Sequence, residues 1–367
     1  MRIENALIYR PDGQFHKGSI SFGRLFGQEE NGPVLDAEGM YLIPGMVDVH
    51  IHGAMNDDTC DGTGAALDTI SRFLITHGVT SFCPTTMPYD LDTLLGIMHA
   101  VRDFQADKGA RCLGVNMEGP FISPAKKGAQ AEINIVPPDL EMYRKLQEAS
   151  GNRILLVDLA PERPGSMEFI KAASKEVHIS LAHTESDYDT AMAAFAAGAD
   201  HVTHLYNAMP PFHHRKPGVI GAAMDANAFV EVICDGLHLH PSIIRSIFRM
   251  YAADKICLIS DAIRCAGLSD GDYELGGQPV VVKDGKCTLH DGTLAGSSIN
   301  LHTALKRAVE FGIPLETAVA AVTSNPARSI GQYDRIGSIE DGKCADCVLL
   351  DRDLNLKAVF RDGQQLA

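Results

Sequence analysis

Beyond Pro44, short apolar runs alternate with longer stretches in which apolar residues recur every three or four positions. A run of about four to eight apolar residues predicts a buried strand, and the longer amphipathic pattern predicts a helix that covers a sheet. Regular alternation of the two predicts a parallel sheet, because parallel strands are joined by crossover helices. The pattern predicts strands over 46–52, 79–83, 112–118, 154–160, 177–182, 201–204, 229–234 and 256–261. It predicts helices over 65–77, 91–104, 188–197 and 241–252 between them.

Eight strand–helix units predict an α/β fold in which residues 44–334 form a closed, TIM-like (β/α)8 barrel. A doubly wound open sheet is the alternative, but the glycine-rich phosphate turn that normally follows its first strand is absent. Residues 273–289 predict a hairpin excursion, and helices resume over 301–311 and 315–323.

The two ends of the chain carry short β-like segments of a different kind. They lie over 2–9, 19–22 and 40–43 at one end and recur between 336 and 364 at the other. We therefore predict that residues 1–43 and 335–367 pair in one small β domain beside the barrel.

Composition excludes some classes of partner. The 367 residues carry a net charge of -15, which argues against a nucleic-acid or anionic-membrane partner. An anionic substrate would then need a local cationic pocket. No apolar run is long enough for a transmembrane helix, and the first residues lack the apolar core of a signal peptide. Nine scattered cysteines predict reduced thiols and a cytoplasmic protein. Cys344 and Cys347 look like half a zinc motif without a second half, so strand packing is the favoured interpretation.

Two histidines on the first predicted barrel strand are candidate metal ligands. Side chains alternate along a strand, so His50 and His52 lie on one face together with Asp48. Imidazole nitrogens suit Zn, Fe, Co or Ni better than Ca or Mg. Taken alone, the pair is better explained as two hydrogen-bonded histidines at the end of a strand, and the rest of the chain changes that balance.

Other predicted strands end on residues that can also bind a metal. In a barrel, the carboxyl ends of the strands share one face, where the chemistry takes place. Together the six positions predict a site with one catalytic metal or two. The members are His50, His52, Glu118, His183, His204 and Asp261. The fourth predicted strand lacks the lysine that bridges two metals in many barrel hydrolases, so Glu118 is the candidate bridging residue.

Several motifs carry a resemblance to a known family. Residues 44–53, Pro-Gly-Met-Val-Asp-Val-His-Ile-His-Gly, resemble the opening metal motif of the amidohydrolase superfamily. The segments 118–121, 182–184, 203–209 and 260–262 resemble those of the N-acetylglucosamine-6-phosphate deacetylase family within it. So do 214–218, 235–238, 292–297 and 342–346, so the resemblance runs through the whole chain.

The resemblance implies a metal-dependent deacetylase of amino sugar catabolism, cytoplasmic and homodimeric. Its substrate would be an N-acetylhexosamine 6-phosphate, with N-acetyl-D-glucosamine 6-phosphate as the first expectation and an amino sugar 6-phosphate and acetate as products. Glu118, His183 and His204 would be the common ligands, and retention of His50 and His52 implies a second metal. The expected cofactor is a divalent transition metal, Zn first, with Fe, Co, Ni or Mn as alternatives, one or two per chain.

The resemblance also implies a set of substrate-binding residues. The implied positions are Ala129, Gln130, Asn207, Ala208, Arg215, His238, Leu294, Ala295 and Gly296. At Gln130 the family commonly has a histidine that polarises the acetyl carbonyl. Glutamine donates a neutral hydrogen bond there and cannot become cationic.

Elementary chemistry assigns roles to these residues. A metal lowers the pKa of its bound water towards ~7, and Asp261 can pass that water's proton to the leaving nitrogen. Gln130 and the metal would stabilise the oxyanion. Arg215, beside His213, His214 and Lys216, offers a bidentate fork for phosphate, or is simply a solvated loop arginine. We interpret His178, His201 and His240 as structural or surface residues.

Two other functions remain open at the level of sequence. One is an amidohydrolase that acts on the galacto epimer or on another small amide, such as a cyclic amide or a nucleobase. The other is a degenerate barrel kept as an assembly module, in which we would expect ligands or Asp261 to be lost. The metal content of the purified protein would distinguish the assembly module from both the deacetylase and the other amidohydrolase.

Overall fold

The central pattern folds into eight parallel strands that follow chain order. The computed structural model describes residues 1–28 and 32–367. Parallel ladders join the first of these strands to the second, and join the third through the eighth each to the next in sequence. We call them barrel strands one to eight: Met46–Ile51, Val79–Pro84, Val115–Glu118, Ile154–Leu159, His178–Leu181, His201–Val202, Phe229–Ile233 and Ile256–Ile259.

The third predicted strand is interrupted in the structure. Arg111–Cys112 pairs with barrel strand two, and Val115–Glu118 pairs with barrel strand four. Gly114 lies between them, where a Cβ atom would approach the carbonyl oxygen of Arg153 to 2.3 Å. A glycine is required at this close approach, so the single predicted strand becomes two.

Backbone contacts close the sheet on itself. An isolated parallel bridge between Thr85 and Asn116 joins strand two to strand three. At the other side, the Asp261 amide donates to the His50 carbonyl at 3.0 Å, and the His52 amide donates to the Ala262 carbonyl at 2.9 Å. Strand eight thereby returns to strand one, and the predicted TIM-like barrel is confirmed.

Helices surround the barrel, and the six predicted ones occur within two residues of their expected bounds. Three of them are capped by short polar side chains at the N-terminus, where Asp90, Asp187 and Asn300 each accept from the backbone amide of the third helical residue. The α-helices are Gly64–Thr76, Leu91–Asp103, Leu140–Ala149, Ser166–Ala173, Tyr188–Ala197, Gly218–Asp225, Pro241–Met250, Leu301–Glu310, Leu315–Val322 and Ser324–Ser329. In the part of the chain that the structure describes, no helix combines the length and the apolar character needed to cross a bilayer.

Strands from both ends of the chain pair in one sheet beside the barrel. Tyr41–Pro44 lies at its centre, parallel to Arg2–Tyr9 and antiparallel to Cys347–Leu350. Phe22 packs edge-on against Phe26 and Phe360, with ring centroids 5.8 and 5.6 Å apart. The strands are Arg2–Tyr9, Phe15–Ser21, Val34–Asp36, Tyr41–Pro44, Cys347–Leu350, Leu356–Arg361 and Gln364–Gln365.

A three-stranded excursion follows barrel strand eight, as the sequence predicts. Gly271–Leu275, Gln278–Lys283 and Lys286–Thr288 pair antiparallel. Asp284 and Gly285 form its turn, both with positive φ, as a two-residue hairpin loop prefers. The segment after it returns to the barrel mouth, where the Ser297 amide donates to the Asp261 carbonyl at 2.8 Å.

Candidate active site and metal centre

Glu118 lies at the centre of a cluster of histidines at the carboxyl ends of the barrel strands. Its Oε1 atom is 3.1 Å from His183 Nε2 and 3.1 Å from His204 Nε2. Its Oε2 atom is 3.4 Å from His52 Nε2, and Oε1 is 3.8 Å from His50 Nε2. All five side chains are buried.

The cluster consists of two groups of three that share Glu118. In each, one donor atom per residue lies within 4.8 Å of the others, and the groups are His50–His52–Glu118 and Glu118–His183–His204. In the first group the Nε2 atoms of the two histidines are 3.4 Å apart, and in the second group they are 3.1 Å apart. Neutral imidazoles can face each other so closely only if a proton or a cation lies between the lone pairs. Nitrogen and carboxylate donors in this arrangement fit a divalent transition metal.

Charge in the cluster also bears on how a cation would bind. Burial alone lowers the pKa of His50, but the neighbouring carboxylates of Glu231, Asp261 and Glu118 outweigh it and raise that pKa well above its usual value. Protons therefore compete with a cation for this histidine. Metal binding should release protons and weaken as the pH falls.

Three of the site residues occupy strained backbone positions. His183, His204 and Asp261 each follow the end of a barrel strand and have φ of 44°, 27° and 47°. Residues other than glycine rarely adopt this left-handed region, and such strain concentrates at functional sites. The turns at His183 and His204 bring their side chains to Glu118, and the turn at Asp261 brings its carboxylate to His52.

Asp261 lies beside the histidines of barrel strand one. Its Oδ1 atom is 3.3 Å from His52 Nε2 and 3.5 Å from His50 Nε2. Burial raises the pKa of Asp261, but the hydrogen bond with His52 and the nearby histidine charges outweigh burial and lower it. Asp261 is therefore a carboxylate at neutral pH, able to accept a proton.

A cavity of about 410 Å³ opens above the cluster. Seven of the nine substrate-binding positions implied by the resemblance line it, and they are Ala129, Gln130, Asn207, Ala208, His238, Leu294 and Gly296. Ala295 is buried behind this wall rather than in it. Lining residues that sequence reasoning did not assign are Met87, Ala125, Lys126, Gly128, Tyr206, Ile233, Leu275 and Thr293.

The loop that carries Gln130 is held against the metal-binding cluster. Gln130 Nε2 donates to Glu118 Oε2 at 2.8 Å, and the His183 Nδ1 atom is 2.7 Å from the Lys126 carbonyl oxygen. The Gln130 carbonyl oxygen Oε1 is buried and has no hydrogen-bond partner among the described residues. One N–H of this amide is thus engaged by Glu118, and the other faces no described acceptor.

His238 forms a buried pair with Asp235 at the cavity wall, with Nδ1 and Oδ2 2.6 Å apart. Burial by itself lowers the pKa of His238, but the hydrogen bond and charge of Asp235 outweigh it and raise that pKa. The raised pKa favours the cationic form of His238, which can donate to an anionic or hydroxyl-rich ligand.

Arg215 does not belong to the cavity of its own chain. It lies in an exposed loop, together with exposed Phe212, His213, His214 and Lys216. Arg215 is not among the residues that line the cavity, and its phosphate role stays a prediction.

Sequence reasoning missed Glu231 and underrated His201. Glu231 Oε2 is 2.9 Å from His50 Nδ1, and His201 Nε2 is 3.4 Å from Glu231 Oε1. Both side chains are fully buried. One signal was available, because a glutamate in the centre of the apolar run Phe229–Ile233 is unusual unless it has a partner.

The sequence of this chain matches a protein family and several known enzymes. The amidohydrolase family model matches residues 41–366. The chain is 42% identical over 320 residues to N-acetylglucosamine-6-phosphate deacetylase of Bacillus subtilis (strain 168), which covers 85% of this chain and 81% of that protein. It is 33% identical over 344 residues to N-acetylgalactosamine-6-phosphate deacetylase of Escherichia coli O157:H7, covering 90% and 89%.

A solved structure agrees over the whole chain. It is a mutant N-acetyl-D-glucosamine-6-phosphate deacetylase of Mycobacterium smegmatis in complex with N-acetyl-D-glucosamine-6-phosphate. The TM-score is 0.91 at 29% sequence identity, and the match covers 100% of this chain and 99% of that one.

Proposed function

The chain belongs to the amidohydrolase family and, within it, to the N-acetylglucosamine-6-phosphate deacetylases, and from this premise we propose what it does. It is a metal-dependent enzyme that hydrolyses the acetamide of N-acetyl-D-glucosamine 6-phosphate to amino sugar 6-phosphate and acetate. The observation that carries this proposal is the pair of triads sharing Glu118 at the base of a cavity of about 410 Å³. That volume is within the range of small-molecule sites, about 300–1,000 Å³.

The residues of the site divide the work of amide hydrolysis. His50, His52, Glu118, His183 and His204 would hold the metal, which supplies a Lewis acid and lowers the pKa of water towards ~7. Asp261 accepts the proton of the attacking water and donates it to the departing nitrogen. Gln130 donates a neutral hydrogen bond toward the acetyl oxygen with the N–H that Glu118 does not use.

Substrate contacts follow from the cavity wall. Asn207 and Ala208 lie where the turn after His204 exposes backbone groups, and the Ala208 carbonyl accepts from the Thr184 amide at 3.0 Å. We assign His238 to sugar hydroxyls because it faces the cavity with Asp235 behind it. Leu294 and Gly296 also line the cavity, and we place Ala295 and Ala129 with them as backbone contacts.

Zinc is the metal we propose, with iron, cobalt, nickel or manganese as alternatives. Four imidazoles and one carboxylate suit a borderline-soft cation, and the histidines of barrel strand one supply enough donors for a second ion. The arrangement of the cluster supports a divalent metal, and its identity as zinc is our proposal.

We propose that Arg215 binds the phosphate of a substrate held in the neighbouring subunit of a homodimer. Two observations support this arrangement: Arg215 is exposed, and it does not line the cavity of its own chain, so a phosphate that it binds would come from elsewhere. The enzyme would act in the cytoplasm. Residues 1–43 and 335–367 would form a small β domain, which the mixed sheet of both termini supports.

A kinetic comparison of four substrates tests the proposal. Purified protein with added Zn²⁺ is assayed with N-acetylglucosamine 6-phosphate, its galacto epimer and the two unphosphorylated sugars, by measuring released acetate. We expect the highest kcat/KM for the gluco phosphate. A preference for the galacto phosphate would select the alternative that the Escherichia coli relative favours. No release of acetate from any of the four by fully metal-loaded protein would overturn the deacetylase assignment.

A further inference from the structure

Glu231 is a carboxylate in the middle of an apolar strand, and its side chain is buried inside the barrel. Its neighbours in barrel strand seven, Phe229–Ile233, are all apolar. A buried carboxylate is costly unless hydrogen bonds and opposite charge compensate for its lost hydration. The partners of Glu231 therefore indicate what it does for the molecule.

Those partners are one histidine of barrel strand one and two histidines at barrel strand six and the turn after it. Glu231 Oε2 is 2.9 Å from His50 Nδ1. The same oxygen accepts from the backbone amide of His204 at 3.3 Å. Glu231 Oε1 is 3.4 Å from His201 Nε2, a close contact that lacks hydrogen-bond geometry.

The contact with His50 determines which of its nitrogens faces the cluster. A proton on Nδ1, donated to Glu231, leaves the lone pair on Nε2. His50 Nε2 is the atom that lies 3.4 Å from His52 Nε2 and 3.8 Å from Glu118. A carboxylate behind a ligating imidazole fixes the tautomer and the ring orientation in this way.

The contact with His204 acts on the backbone instead. His204 has φ of 27°, a conformation that residues other than glycine rarely adopt. A hydrogen bond from its amide to Glu231 stabilises this turn, and the Leu205 amide donates to the Glu231 carbonyl at 2.8 Å. Glu231 thus contacts one member of each triad, His50 in the first and His204 in the second.

We propose that Glu231 is a positioning residue for the metal-binding cluster, which keeps His50 Nε2 and the His204 turn directed toward Glu118. His201 lies buried beside the second oxygen. The inference rests on the proposed function, because it needs the cluster to be a metal site. It adds a residue that sequence reasoning did not assign.

The test is the affinity of the protein for Zn²⁺, measured by competition with a chromophoric chelator. Glu231→Gln keeps the size of the side chain and removes its charge. Loss of a group behind a metal ligand typically costs about 10–100-fold in metal affinity, so we expect the Kd for Zn²⁺ to rise by that factor. Ser180→Ala is the matched control, because Ser180 is buried in the same barrel interior and bonds Thr203 rather than a cluster residue.

A second measurement reports on His50 directly. In Zn²⁺-loaded protein with ¹⁵N-labelled histidine, we expect a slowly exchanging Nδ1–H of His50 in the parent protein. In Glu231→Gln that proton should exchange faster and shift upfield. A merely structural carboxylate would not alter this signal in a folded variant.

The outcomes are separable from those of the deacetylase test. A folded Glu231→Gln variant that binds Zn²⁺ as tightly as the parent protein would overturn the inference and leave the deacetylase assignment intact. Should Glu231→Gln not fold, Glu231→Asp is titrated in its place. Its carboxylate is one methylene shorter and cannot reach both His50 and His204, so unchanged affinity in that variant would overturn the inference equally. Weakened Zn²⁺ binding in a protein that hydrolyses no amino sugar would sustain the inference and sink the activity.

Discussion

Replacing Asp261 by asparagine tests the proton transfer on which the proposed reaction depends. The Oδ1 atom of Asp261 lies 3.3 Å from His52 Nε2, next to the cluster, and its lowered pKa makes it a base at neutral pH. Asparagine has nearly the same shape, and at φ of 47° it is tolerated as well as aspartate. The substitution therefore removes basicity with little change in structure.

The size of the effect follows from the two roles of the residue. General acid–base catalysis contributes about 10²–10⁴-fold, which corresponds to ~3–5 kcal/mol in the barrier. Since Asp261 would both accept and deliver the proton, we expect kcat to fall toward the upper part of that range. Both triads consist of other residues, so the metal content should not change.

The assay is acetate release from N-acetylglucosamine 6-phosphate at saturating substrate, with metal content measured by elemental analysis. Asp284→Asn is the control, because Asp284 has a similar φ of 52° at the exposed hairpin tip. The reasoning is refuted if Asp261→Asn keeps kcat within tenfold of the parent protein while its metal content is unchanged. A fall in kcat accompanied by loss of metal would instead make Asp261 a ligand.

Three further predictions address the metal, the phosphate and pH. Replacing His50 and His52 together by alanine should lower the metal-to-protein ratio, because the first triad then keeps only Glu118. Arg215→Ala should lower kcat/KM for the phosphorylated sugar by about 10–100-fold, the worth of a charge-assisted contact of roughly 1.5–3 kcal/mol, and leave the free sugar nearly unaffected. Mixed dimers of this variant with an inactive partner that keeps the arginine should recover activity. Burial lowers the pKa of His302, although its Nε2 contacts the Leu354 carbonyl at 2.7 Å. Below about pH 6.5, His302 binds a proton in the unfolded chain more readily than in the folded one, so acid favours unfolding. Between pH 7.5 and pH 5.5 the free energy of unfolding, measured by urea titration, should therefore fall more in the parent protein than in His302→Gln.

Each of these has a contrary result. An unchanged metal ratio in the double variant would mean that only the Glu118–His183–His204 site is used. Equal responses of phosphorylated and free sugar would make Arg215 a solvated surface residue, and failure of the mixed dimers would remove only the cross-subunit role. If the two proteins lose the same stability between the two pH values, His302 is not the group responsible.

The order of the barrel strands was readable from the sequence because each strand is a local pattern. Apolar runs and amphipathic stretches depend on neighbours in the chain, and alternation along residues 46–52 is enough to direct His50 and His52 to one side. The identity of the residues at the strand ends was readable for the same reason. Gly114 was not, since the close approach of Arg153 that requires a glycine comes from a distant part of the chain.

Only the tertiary structure decided how these residues meet. The distances between Glu118 and the four histidines depend on closure of the barrel and on left-handed turns at His183 and His204, which no local pattern encodes. Closure also sets Glu231 behind His50, two residues that are 181 positions apart. For Arg215 the sequence predicted a phosphate contact, but the tertiary structure places this residue in an exposed loop that does not line the cavity of its own chain. Periodicity determines which side of a strand a residue occupies, whereas the position of one strand against another is a property of the whole closed sheet.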